Sequence, residues 1–193
     1  MKLSDYIFKR LEDFGVSEVF CLPGESVQDL YRSLNESNLK SILLSHEPSV
    51  GYAADAYSRI KGLGVALVSY GVGSLNMVNA VSQAYAESSP LIVLSGGPGL
   101  KERAKHELLH HKVRTFKTQQ NVYKEITEAS FIIDSEKDAA DKLEEAFHTA
   151  LKYKKPVYIE VPRDLSNCQI HAQPFARPTE INLHDKGTLE EAL

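Results

Sequence analysis

Short runs of apolar residues alternate with longer amphipathic segments along most of this chain. A turn rich in glycine, proline or serine follows most of the apolar runs, and a stretch with helical periodicity comes next. Continuous apolar strands of this kind are typical of a parallel sheet that is buried on both faces. The alternation therefore predicts a doubly wound α/β domain with about six parallel strands, about six helices, and helices on both faces of the sheet.

The individual elements follow from the same pattern. Strands are predicted at VFCL, ILL, GVALVSY, LIVLS, FII and KPVYIEVP. Helices are predicted over residues 3–14, 26–34, 51–60, 74–88 and 135–154. Ser26 and Asp29 resemble a capping box at the start of the second helix, so Ser26 is predicted to cap it.

The apolar periodicity ends near Pro162. The remaining residues include two prolines and scattered polar side chains with little apolar order. We therefore predict one domain over residues 1–165, and a linker or tail over residues 166–193 that leads toward a further, central domain.

Composition and charge narrow the functional classes. With 193 residues, 42% hydrophobic and 25% charged, the chain is expected to be a soluble globular protein. A net charge of −4 and a pI near 6.0 give no reason to expect nucleic acid or a membrane as a partner. No apolar stretch is long enough to span a bilayer, and the N-terminus lacks the pattern of a secretory signal, so a cytoplasmic location is expected.

Four loops after predicted strands contain the candidate chemistry: CLPGES, SHEPS, SYGVGS and SGGPG. Ligands of open parallel sheets bind in such loops, at the carboxyl ends of the strands. None of the four matches a dinucleotide fingerprint, a phosphate-binding loop or the nucleophile elbow of a hydrolase. Taken singly, each is better explained as a tight strand-to-helix turn that requires glycine.

Glu47 and the pair His110-His111 each allow two interpretations. Glu47 stands at a predicted helix start beside Pro48, where a carboxylate either caps the helix or carries chemistry. If the histidines lie on a helix, adjacent side chains point about 100° apart, so no metal site is predicted there or elsewhere in the chain. They are then either surface histidines or proton-transfer groups in a polar cleft.

The ordered set of these motifs resembles a known family. VFCLPGE, SHEPSVGYAADAYSRIKG, VALVSYGVGSLNMVNAVSQAYAESSPLIVLSG and KKPVYIEVPRDL are similar, in order and spacing, to the N-terminal domain of thiamine-diphosphate-dependent enzymes. That group includes pyruvate and indolepyruvate decarboxylases, benzoylformate decarboxylase and acetolactate synthase. Within it, LLHHKVRTFKTQQNVYKEIT resembles the double-histidine segment of the pyruvate/indolepyruvate decarboxylase branch. The resemblance covers about residues 3–165.

This resemblance implies a role for each candidate residue in a 2-oxo-acid decarboxylase, a lyase acting on pyruvate, indolepyruvate or phenylpyruvate. Glu47 matches the glutamate that hydrogen-bonds ring nitrogen 1′ of the aminopyrimidine and so activates thiamine diphosphate. His110 and His111 match the pair that relays protons. Glu25 falls where this branch has an aspartate, which leaves the substrate and the proton-transfer role of this carboxylate open.

The resemblance also implies which residues line the pyrimidine ring: Pro23, Gly24, Ser69, Tyr70, Gly71 and Gly73, with Asn76 supporting the loop. The diphosphate and Mg²⁺ are expected on a separate C-terminal domain with a GDG motif, which this sequence lacks. The chain is therefore expected to be inactive alone and to be a fragment rather than a natural small subunit. The rest of the site would come from the remaining domains or a companion subunit, in a homodimer or tetramer. An acetolactate-synthase-like carboligase and a non-catalytic subunit with the same fold remain as alternatives.

Overall fold

All six predicted strands form one sheet in the computed structural model, which describes residues 1–105 and 108–170. The strands are β1 Glu18–Cys21, β2 Lys40–Leu43, β3 Gly64–Val68, β4 Leu91–Gly97, β5 Ala129–Ile132 and β6 Val157–Pro162. Their order is β2-β1-β3-β4-β6-β5, and every pairing is parallel. The chain order reverses between β1 and β3, and the crevice at such a switch point is where open α/β sheets bind ligands.

Eight α-helices connect and flank these strands in the described part of the chain. They are α1 Leu3–Asp13, α2 Gln28–Glu36, α3 Glu47–Lys61, α4 Val72–Asn76, α5 Val78–Ala86, α6 Leu100–Lys105, α7 Thr118–Lys124 and α8 Ala139–Tyr153. A single 3₁₀ turn, Glu25–Val27, precedes α2. The helix predicted over 74–88 is in fact two helices, α4 and α5, separated at Met77. Only α4 begins earlier than predicted, at Val72.

Both faces of the sheet are covered, as predicted. Side chains alternate along the wholly buried strand β3, since successive residues of a strand point to opposite faces. Val65 and Leu67 pack in a cluster with α1, α2 and α8. Ala66 and Val68 pack in a second cluster with α3, α5 and α7. The doubly wound α/β architecture is thereby confirmed.

The last described residues pack against the N-terminus. Leu3 N–H donates to the Cys168 carbonyl at 3.0 Å, and Ile170 N–H donates to the Met1 carbonyl at 3.0 Å. Ile170 is buried. Residues 171–193 of the predicted linker or tail lie outside the described residues, so the boundary at residue 165 stays a prediction. None of the helices described has the length and apolar character of a membrane span.

Candidate functional site

The loops after β1 and β3 meet at the switch point of the sheet. Gly24 lies so close to Ser69 that a Cβ on Gly24 would be 2.7 Å from the Ser69 Cβ and Oγ. The Ser26 hydroxyl is 2.9 Å from the Ser69 hydroxyl and accepts a hydrogen bond of 2.8 Å from Tyr70 N–H. The predicted capping role of Ser26 is wrong, because α2 begins without a side-chain cap. The hydroxyl instead ties the two loops together.

Glu47 is the first residue of α3, with Pro48 in the first turn as the sequence predicts. Its half-buried carboxylate accepts a hydrogen bond of 2.9 Å at Oε2 from the Asn76 amide. Within the described residues, Oε1 has no hydrogen-bond partner, and no N–H at the start of α3 donates to this side chain. The carboxylate therefore does not cap α3 by a hydrogen bond.

Gly73 leaves the free side of this carboxylate open. A Cβ on Gly73 would be 3.3 Å from Glu47 Oε1 and 3.5 Å from the Ser69 Cβ. Any larger side chain at this position would cover Oε1. The absence of a side chain at Gly73, on α4, thus leaves Glu47 Oε1 uncovered.

The same loop touches the double-histidine segment at Gly71. Gly71 has a φ of 73°, in the left-handed region that favours glycine. A Cβ at Gly71 would lie 2.2 Å from the His111 carbonyl oxygen. The N–H of Gly71 donates a hydrogen bond of 2.6 Å to Gln119 Oε1. Only glycine allows the two segments to approach this closely.

His110 and His111 lie in a turn between α6 and α7, so the assumption of a helix here is wrong. His111 has a φ of 66°. The two ring centroids are 3.7 Å apart, with planes inclined by 31°. The imidazoles therefore lie against each other rather than pointing about 100° apart. The residues described contain no group of three or more histidine, cysteine or acidic side chains suited to a metal ion.

A cavity of about 60 Å³ lies between the β1 loop and the histidines. Glu25, Tyr70, His110, His111 and Arg163 are among the residues that line it. Burial raises the pKa of Tyr70 to about 12, so its phenol stays protonated at neutral pH. The cavity thus brings together five of the predicted site residues, since Ser69 also lines it.

Glu47 is not one of the residues that line this cavity. It belongs to a second group with Asn76 and Gly73. Ser69 takes part in both groups, because it lines the cavity and also lies near Gly73. The structure therefore places the sequence candidates in two groups that share Ser69.

Arg163, which sequence reasoning does not single out, holds Glu25 in place. Its Nη1 donates a hydrogen bond of 2.9 Å to Glu25 Oε1, and its Nε donates at 2.8 Å to Glu102 Oε2. Hydrogen bonds to Glu102 and Glu25 raise the pKa of Arg163, so the guanidinium stays charged. The one sequence signal that could have identified Arg163 is its position in PRDL, directly after the last strand.

Comparison with known proteins identifies the family. Residues 1–121 match the family described as "Thiamine pyrophosphate enzyme, N-terminal TPP binding domain". An indole-3-pyruvate decarboxylase of Azospirillum brasilense is 42% identical over 172 residues, which are 88% of this chain and 32% of that protein. Pyruvate decarboxylase 2 of Arabidopsis thaliana is 34% identical over 188 residues, 93% of this chain and 31% of that protein.

The chain therefore belongs to the thiamine pyrophosphate enzyme family, of which it contains the N-terminal cofactor-binding domain. It spans about a third of the length of the curated relatives it matches. The resemblance on which the sequence candidates rest is confirmed, including the branch.

Proposed function

We propose that this chain is the pyrimidine-binding part of a thiamine-diphosphate-dependent 2-oxo-acid decarboxylase. The observation that carries the proposal is Glu47, whose Oε2 is held by Asn76 while Oε1 faces Gly73 with no partner among the residues described. The family and the decarboxylase relatives support the same function. The substrate class we propose is pyruvate, indolepyruvate or phenylpyruvate.

The residues present fit the aminopyrimidine ring. Gly24, Gly71 and Gly73 leave bare backbone where any side chain would meet Ser69, His111 or Glu47. Glu47 Oε1 can share a proton with ring nitrogen 1′ or donate one to it, and the loops at Pro23 and Ser69 orient the ring. When bound, thiamine diphosphate supplies the electron sink that decarboxylation needs.

The cavity lined by Glu25, His110 and His111 contains groups suited to proton transfer. We assign this role to His110 and His111, because imidazole is a common general acid and base, and to Glu25. Arg163 Nη1 donates a hydrogen bond of 2.9 Å to the Glu25 carboxylate. The double histidine favours a decarboxylase over an acetolactate-synthase-like carboligase.

The diphosphate and Mg²⁺ would be held by a separate C-terminal domain, in the same polypeptide or in a companion subunit. We also propose that the complete enzyme is a homodimer or tetramer and is located in the cytoplasm. It follows that residues 1–193 hold half of the cofactor site.

Substitution of Glu47 tests the proposal. In the holoenzyme that contains this chain, Glu47→Gln should slow deuterium exchange of the thiazolium C2 proton about a hundredfold, followed by quenched-flow NMR. Glu145→Gln is the matched control, because Glu145 is exposed on α8. Exchange at the wild-type rate in Glu47→Gln would remove Glu47 from cofactor activation and overturn the proposal.

A further inference from the structure

A buried glutamine connects the loop after β3 to the interior of the domain. Gln119, on α7, is 1% exposed. Its Oε1 accepts the hydrogen bond from Gly71 N–H at 2.6 Å, and its Nε2 donates to Ser95 Oγ at 2.9 Å and to the Tyr158 hydroxyl. Every polar atom of this amide is thus engaged, and one of its partners is the cofactor loop.

The direction of each hydrogen bond in this network follows from Glu160, which is 0% exposed on β6. Its carboxylate accepts from Arg103 and, at 2.9 Å, from the Tyr158 hydroxyl. Burial raises the pKa of Glu160, but the Arg103 guanidinium opposes this rise and favours the ionised carboxylate. An ionised carboxylate only accepts, so the Tyr158 hydroxyl donates to it, and the hydroxyl oxygen accepts from the Gln119 amide. Ser95 likewise donates to the Gly96 carbonyl at 2.8 Å.

These constraints allow one orientation of the amide. Nε2 of Gln119 must face the two hydroxyl oxygens, of Ser95 and Tyr158, and Oε1 must face Gly71 N–H. A fully satisfied buried network of this kind is rigid, because any rotation would leave polar groups without partners. The position of the Gly71 backbone is therefore determined from within the protein.

The network also holds both ends of the double-histidine segment. Arg103 is on α6, which precedes His110, and Gln119 is on α7, which follows His111. Both ends are bonded to β6, through Glu160 and Tyr158 respectively. The histidines and the Gly71 loop thus share one buried scaffold.

A second residue of α7, Tyr123, lies one helical turn after Gln119 and bonds to α4, the helix that follows the loop. The Tyr123 hydroxyl donates to the Ser74 carbonyl at 2.6 Å, and its ring stacks on Tyr158 with centroids 4.2 Å apart. The loop after β3 is therefore held from α7 at Gly71, and α4, which follows it, is held at Ser74.

We infer that Gln119 is a positioning residue, which sets the loop after β3 against the aminopyrimidine. The inference rests on the proposed function. Gln119 acts through the backbone of Gly71, and its effect should fall on cofactor affinity rather than on the chemistry of a saturated enzyme.

The test compares Gln119→Met with Gln120→Met in the holoenzyme that contains this chain. Gln120 is the neighbour on α7 and donates at 3.1 Å to the Ser130 carbonyl, on β5. With Mg²⁺ saturating, Gln119→Met should raise the apparent Kd for thiamine diphosphate about tenfold, while kcat at saturating cofactor changes less than threefold. Gln120→Met should leave this Kd unchanged.

Tyr158→Phe gives a second route if Gln119→Met does not fold. It removes the hydroxyl that accepts from Gln119 and keeps the stack on Tyr123, so the Kd should rise about threefold. Wild-type affinity in both Gln119→Met and Tyr158→Phe would overturn the inference, even if melting temperatures fall. A wild-type protein without thiamine diphosphate binding, or unchanged exchange in Glu47→Gln, would instead overturn the proposed function.

Discussion

The Asn76 amide donates a hydrogen bond of 2.9 Å to Glu47 Oε2 and leaves Oε1 uncovered next to Gly73. The two residues lie on different helices, Asn76 at the end of α4 and Glu47 at the start of α3. One side chain therefore sets which oxygen of the other is available to a ligand.

Removing the Asn76 amide should weaken this orientation without removing the carboxylate. We expect Asn76→Ala to slow exchange of the thiazolium proton about tenfold, less than Glu47→Gln, because one hydrogen bond to a charged group is lost. The same NMR exchange measurement checks it. Asn121→Ala, at an exposed position on α7, is the matched control, and equal rates in the two variants would contradict the prediction.

Gly71 and Gly73 should differ in what an alanine costs. Gly71→Ala forces a side chain into a φ of 73° and toward the His111 carbonyl, so we expect at least about 2 kcal/mol loss in the free energy of unfolding. Gly73→Ala should keep stability within about 1 kcal/mol but weaken thiamine diphosphate binding several-fold, because its Cβ would crowd Glu47 Oε1. Urea denaturation and cofactor titration separate the effects. The prediction fails if Gly73→Ala is the less stable variant.

A buried ion pair between α1 and α8 should contribute strongly to stability. Arg10 donates two hydrogen bonds to Glu144, at 2.7 and 2.8 Å, and Tyr6 donates a third at 2.8 Å. Glu144→Ala should lower the free energy of unfolding by about 3 kcal/mol, since a buried charge loses its main partner. Urea denaturation followed by circular dichroism measures the loss. Glu145→Ala, exposed on the same helix, should change it by less than about 0.5 kcal/mol.

Cys21 should make stability depend on alkaline pH. Burial raises its pKa from an ordinary value near 9 to about 11. The thiol therefore ionises at a lower pH in the unfolded chain than in the folded protein. The stabilisation from the protonated Cys21 is fully present below about pH 9 and is lost as pH rises through about 11. Cys21→Ala should show a shallower loss of the free energy of unfolding between these values, with other groups common to both proteins. Parallel pH curves for the two proteins would contradict this.

The strands and the start of α3 could be predicted because their causes are local. GVALV and LIVL are apolar throughout because both faces of β3 and β4 are buried. Pro48 marks the first turn of α3 because it lacks the N–H that a helix start does not use. Both signals are contained in a few consecutive residues.

The double-histidine turn and the fate of Ser26 could not be predicted, because their causes are distant in sequence. His111 takes its turn against Gly71, forty positions earlier in the numbering, and Ser26 bonds to Ser69 rather than to its own helix. Glu160 gave one local signal, a carboxylate within an apolar strand. That its partner is Arg103 depends on how α6 packs against β6.

The sequence by itself determined the doubly wound fold and the candidates Glu47, His110, His111 and Glu25, since burial patterns and motif order are encoded along the chain. Only the tertiary structure decided that Asn76 orients Glu47, that Arg163 holds Glu25 and that Gln119 supports Gly71. The physical reason is that side-chain hydrogen bonds need donors and acceptors within about 3 Å. Packing across the sheet brings these distant residues to that distance.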